Sequence, residues 1–113
     1  MMKRLKILSF VTILLFTIGC VEQKDFNSSE WKNWEETEST PNTRWLMHRD
    51  LLSKYELEGA NKDYILNLLG KPDSETDNEY YYQLGTTGRG INTGTLMIKF
   101  ANGSVVDIEV TNG

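Results

Sequence analysis

Cysteine and histidine each occur once in the 113 residues of this chain, and proline only twice. Each scarcity removes a class of function. With a single thiol, Cys20, the chain cannot close a disulfide on itself, so the folded part depends on packing alone. With a single histidine, His48, and no cysteine beside it, there is no ligand pair of the zinc type. A serine hydrolase would need the same His48 as its base, and no nucleophile-elbow signature accompanies it. Basic residues are also short, twelve Lys and Arg against sixteen Asp and Glu. A surface of that sign disfavours nucleic acid, whose binding depends on cations meeting phosphates. A membrane-spanning run is missing too. The most apolar stretch, Ile7 to Ile18, is well short of the roughly 20 residues a helix needs to cross a bilayer.

That stretch has another meaning. Lys3, Arg4 and Lys6 form a basic start, the apolar run follows, and a small residue, Gly19, precedes Cys20; this is the layout of a secretory signal occupying 1–19. Thr17-Ile18-Gly19-Cys20 resembles the lipobox of bacterial lipoproteins. The resemblance implies that Cys20 carries a diacylglycerol and an N-acyl chain, with no other cofactor. It places the protein on the extracytoplasmic side of a membrane in the bacterial cell envelope. Each buried methylene contributes about 0.8 kcal/mol, and more than one chain gives stable attachment. Loss of the signal removes three basic residues and no acidic one, leaving nine basic against sixteen acidic, a net charge of −7.

Residues 20–41 are acidic and polar with little apolar periodicity, which predicts a flexible tether holding the domain some tens of ångströms from the bilayer. Trp31 and Trp34 stand at helical spacing within it. A short helix docked through both, and two exposed rings on a mobile arm, are alternatives the sequence leaves open.

One domain is expected over 42–113. Met47, Leu51, Leu52 and Tyr55 share one side at helical spacing, with Trp45 and His48 on its border and Asn42 or Thr43 as cap. A second helix starts at the cap Asn61, carries Tyr64, Ile65, Leu68 and Leu69, and ends at Gly70 before Pro72. An acidic loop, Asp73 to Glu79, comes next and reads as solvated rather than as a calcium site. Three strand-like runs follow, "YYYQL", "TLMIKF" and "SVVDIEV". Tyr80, Tyr82, Leu84, Leu96, Ile98, Phe100, Val106, Ile108 and Val110 all fall on even numbers, predicting one buried face. A three-residue turn, Ala101-Asn102-Gly103, keeps that parity by pairing Ile98 with Val106. The expected fold is α+β: two N-terminal helices packed on one face of a three-stranded antiparallel sheet, in the order α-α-β-β-β.

The opposite face then carries Tyr81, Met97, Lys99 and Val105, a small apolar patch with a charged rim. Arg89 lies at the tip of the glycine-rich segment between the first two strands, a segment without the lysine of a phosphate loop. These five are the candidate partner-binding residues. No catalytic or metal-binding residue is assigned.

Gly59, Leu69-Gly70-Lys71-Pro72, Tyr82-Gln83-Leu84-Gly85 and the hairpin from Phe100 to Val106 together resemble the SmpA/OmlA (BamE-like) small lipoproteins and the related β-lactamase-inhibitor-protein fold. The segment "STPNTRWLMHRD" departs from that family's pattern, so the resemblance implies a fold and an envelope role more than a place in one assembly. It implies a non-enzymatic protein-interaction or assembly module, anchored through Cys20 and meeting an envelope protein. The alternatives are an inhibitor-like binder of a secreted hydrolase, or a small-ligand or lipid-binding domain with a pocket between sheet and helices.

Overall fold

The structure, a computed structural model, describes residues 23–88 and 92–112. Its elements are α1 (Ser28–Lys32), α2 (Thr43–Lys54), α3 (Lys62–Leu69), β1 (Ser74–Glu75), β2 (Glu79–Thr86), β3 (Thr93–Ala101) and β4 (Ser104–Asn112). The strands form one antiparallel sheet in the order β1-β2-β3-β4. The α+β class matches expectation, but the arrangement does not. The described residues hold three helices and a four-stranded sheet, in place of two helices on three strands.

The additional strand comes from the acidic loop. Ser74 pairs with Tyr81 and Glu75 with Tyr80, and the Thr76 N–H closes the hairpin on the Glu79 carbonyl at 2.9 Å. Both β1 residues are exposed, so no apolar alternation marks the strand. A short polar strand of this kind also blunts the sheet edge.

The additional helix comes from the presumed tether. The Asn27 side chain caps α1 by accepting the Glu30 N–H at 2.8 Å, which satisfies one of the free donors at a helix start. Trp31 is fully buried in the core. Of the two alternatives open for the tryptophans, docking holds for Trp31; Trp34 is half-buried, its Nε1–H donating to the Thr40 carbonyl at 2.8 Å.

The sequence signals for the other helices hold well. Asn61 caps α3 by accepting from Tyr64 N–H, and Gly70 closes it with φ of 79°, a conformation suited to glycine. Met47, His48 and Leu51 of α2 are buried, joined by Arg44. Ile65 and Leu69 of α3 are buried, whereas Tyr64, expected on the apolar stripe, is 42% exposed. These residues cover Tyr80, Tyr82, Leu84, Leu96, Ile98 and Phe100, the even-numbered row of the sheet.

The hairpin between β3 and β4 corrects the predicted turn. Ala101 pairs with Ser104, so the turn has two residues, Asn102 at φ 54° and Gly103 at φ 81°. Positive φ at both positions is what a tight hairpin turn of matching twist requires. Parity is restored by a bulge in place of a longer turn: Phe100 faces Val105 and Lys99 faces Asp107, leaving Val106 as the extra residue. Ile98 therefore faces Ile108 and Leu96 faces Val110. In consequence Val105 lies in the core, 3% exposed, and Val106 is 50% exposed. Val105→Ala is expected to cost about 2 kcal/mol, the scale of a small buried truncation, and Val106→Ala less than about 0.5 kcal/mol; urea unfolding of the two variants measures the difference.

Candidate interaction surfaces

Antiparallel registry sorts the open face of the sheet into rows. Glu79, Lys99 and Asp107 form one row, Tyr81, Met97 and Glu109 the next, and Gln83, Thr95 and Thr111 the third. Side chains alternate along each strand, so a row presents all its members to the same side. The Tyr81–Met97 pair is the apolar centre, and both are partly exposed. Lys99 stands between two carboxylates, an arrangement in which opposite charges on neighbouring strands contribute roughly 0.2–1 kcal/mol. Tyr81 is not free to turn: its hydroxyl donates to Glu79 Oε1 at 2.7 Å. That bond is the chief cause of a pKa raised above the usual tyrosine value.

Of the predicted contact residues, the structure brings Tyr81, Met97 and Lys99 together on this face. Val105 is absent from it, because the bulge at Val106 turns Val105 inward. Arg89 lies outside the described residues. The glycine-rich segment is fixed where it leaves the sheet: the Thr86 N–H donates to the Pro41 carbonyl at 3.2 Å. At Gly85, φ is +89°, and a side chain would overlap the same carbonyl.

A cleft of about 290 Å³ lies at the outer edge, lined by Leu52, Tyr55, Glu56, Leu57, Glu58 and Ile108. It opens between the end of α2 and the helix-facing side of β4, while deeper between the layers Met47, Leu51, Tyr82, Leu96 and Ile98 are each fully buried. No cluster of three or more His, Cys, Asp or Glu among the described residues could hold a metal ion.

Sequence reasoning missed Arg44, since a charged residue in a helix reads as solvent-facing. Its side chain is buried behind β2, donating from Nε to the Trp31 carbonyl (3.0 Å) and from Nη1 to Asp73 Oδ2 (2.9 Å) and the Gln83 carbonyl (3.1 Å). Trp31 and Trp34 flank the guanidinium at 5.1 and 5.2 Å from their ring centres. The arrangement is structural: every contact joins elements of the same domain. The paired tryptophans ahead of an early helical arginine were the available signal.

Comparisons with family models, characterised proteins and solved structures give no match to this chain. Among the described residues no helix is long and apolar enough to cross a membrane.

His48 is 7% exposed, with its ring 4.5 Å from that of Trp45. Its Nδ1–H faces the Trp45 carbonyl. Burial lowers its pKa; the carbonyl contact partly opposes this, and Arg49 adds to the lowering. The folded protein thus resists the proton that the unfolded chain accepts near the ordinary histidine value of 6.5. Stability is fully present above that value and is lost as pH falls through it toward the folded pKa. Urea midpoints at about pH 7.5 and about pH 5 are expected to show that loss, and His48→Gln to remove this part of it.

Proposed function

We propose that the protein is a lipid-anchored, non-enzymatic interaction module of the bacterial cell envelope, held by acylated Cys20 and meeting a protein partner through the open face of its sheet. The observation that carries the anchor is the junction Thr17-Ile18-Gly19-Cys20 at the end of a basic-then-apolar leader. The open face supports the partner reading. An apolar pair, Tyr81 and Met97, sits between a charged row and a polar row, the composition of a modest protein contact with a polar rim. The resemblance of its turn and core motifs to those of SmpA/OmlA lipoproteins supports the same class of role.

Two experiments test the two halves separately. Cys20→Ser is expected to move the protein from the membrane to the soluble fraction as an intact domain, seen by fractionation and circular dichroism; a membrane share unaffected by the substitution refutes the anchor. Photocrosslinking in cells from position 81 is expected to capture a specific envelope protein. Introducing Tyr81→Lys and Met97→Glu, with a photocrosslinker at neighbouring Thr95, is expected to abolish that capture without lowering the unfolding free energy from urea titration by more than about 1 kcal/mol. Capture that persists at full yield removes the sheet face from consideration.

A further inference from the structure

The segment ahead of α1 is bonded to the outer side of α2 from Lys24 onward. The Lys24 N–H donates to the Leu46 carbonyl at 2.9 Å, and the Phe26 N–H to Asp50 Oδ2 at 2.7 Å. The second bond is the chief reason the Asp50 carboxyl lies below its usual pKa. Arg44, Met47, His48 and Leu51 are the buried row of α2 facing the sheet. Helical periodicity then puts Leu46, Arg49, Asp50 and Ser53 on the reverse side of the same helix. The strap leaves the domain there, on the face of the helix layer turned away from the sheet.

Chain length turns this exit point into a constraint. Four residue steps separate Cys20 from Lys24, and fully extended they reach at most about 14 Å. The open face of the sheet lies beyond a helix layer about 10 Å across and the sheet layer itself, about another 10 Å, which together exceed that reach. A tether of tens of ångströms, predicted from composition, is therefore replaced by a short leash attached to one side of the domain.

The geometry points to a fixed orientation on a lipid surface: the outer face of α2 around Leu46, Arg49 and Ser53 is held against the headgroups, and the sheet face bearing Tyr81 and Met97 is turned to the aqueous compartment. The inference rests on acylation of Cys20. The occupant of the α2 face is the bilayer because the leash leaves no other place for it. Charges near the exit are mixed, with Lys24, Arg49 and Lys54 against Asp25 and Asp50. Apposition thus comes from the leash and not from attraction to headgroups of one sign.

The test uses the acylated protein purified from membranes and reconstituted in phosphatidylcholine vesicles containing a nitroxide-headgroup lipid. Cys20 is the only cysteine, so Arg49→Cys or Thr111→Cys supplies a single free thiol for a fluorophore; both native residues are exposed, Thr111 on the sheet face. The label at position 49 is expected to lose most of its fluorescence and the label at 111 little. Inserting ten Gly and Ser residues after Val21, which adds about 15–20 Å of flexible reach, is expected to erase the contrast. Equal or greater loss at 111, or a contrast that survives the spacer, in protein that still floats with the vesicles, overturns the orientation and leaves the anchor standing. Protein that fails to float with the vesicles overturns the anchor, and the orientation with it.

Discussion

The buried guanidinium of Arg44 is the contact on which the arrangement of this domain depends. Removing a charge from water costs several kcal/mol unless partners replace the lost hydration. Here the partners come from separate parts of the chain: the Trp31 carbonyl at the end of α1, Asp73 ahead of β1 and the Gln83 carbonyl of β2. Flanking by Trp31 and Trp34 adds a cation–π contribution of the order of 0.5–2 kcal/mol. Because every partner must be present at once, the arginine ties the N-terminal segment, the first long helix and the β1–β2 hairpin into one unit. Asp73 takes part twice, since its Oδ2 also accepts the Gln83 N–H at 2.8 Å.

The consequences reach both surfaces of the molecule. Once α1 is drawn under Arg44, Trp31 fills the core beside Phe26 and Tyr82, and the preceding strap must lie along α2. That ordering shortens the connection between Cys20 and the folded domain, which is why the helix layer and the sheet face have different surroundings in the proposed arrangement. On the other side, the helices satisfy the apolar face of the sheet, so the opposite face is left with Tyr81 and Met97 among charged and hydroxyl side chains. A one-sided antiparallel sheet is an ordinary solution; what distinguishes this one is the strap from Lys24 to Asn27 bonded along α2 behind it.

Much of the fold was legible in local patterns. Asn61 as a cap, Gly70 as a stop and the even-numbered row from Tyr80 to Phe100 are short-range features, and each survives in the structure because local geometry and burial agree there. Tyr81, Met97 and Lys99 were legible as a face for the same reason, since alternation along a strand is fixed by the pleat. The failures share a cause. β1 has no buried residue, α1 is a single turn and a half, and the Val106 bulge adds one residue where parity reasoning assumed none. None of these carries a periodic signal. Val105 was consequently assigned to the wrong side, although the Asn102-Gly103 dipeptide was itself a two-residue turn signal.

By itself, the sequence determined the class of the domain, its two longer helices and the strand alternation, all set by neighbours a few residues apart. Only the tertiary structure decided which face Val105 occupies, that the acidic loop pairs as a strand, and that Trp31, in the region resembling a tether, is part of the core. Those outcomes depend on contacts between distant residues, Arg44 with Asp73 and Lys24 with Leu46 among them. A hydrophilic composition excludes neither a buried, fully partnered charge nor a strap held by its backbone.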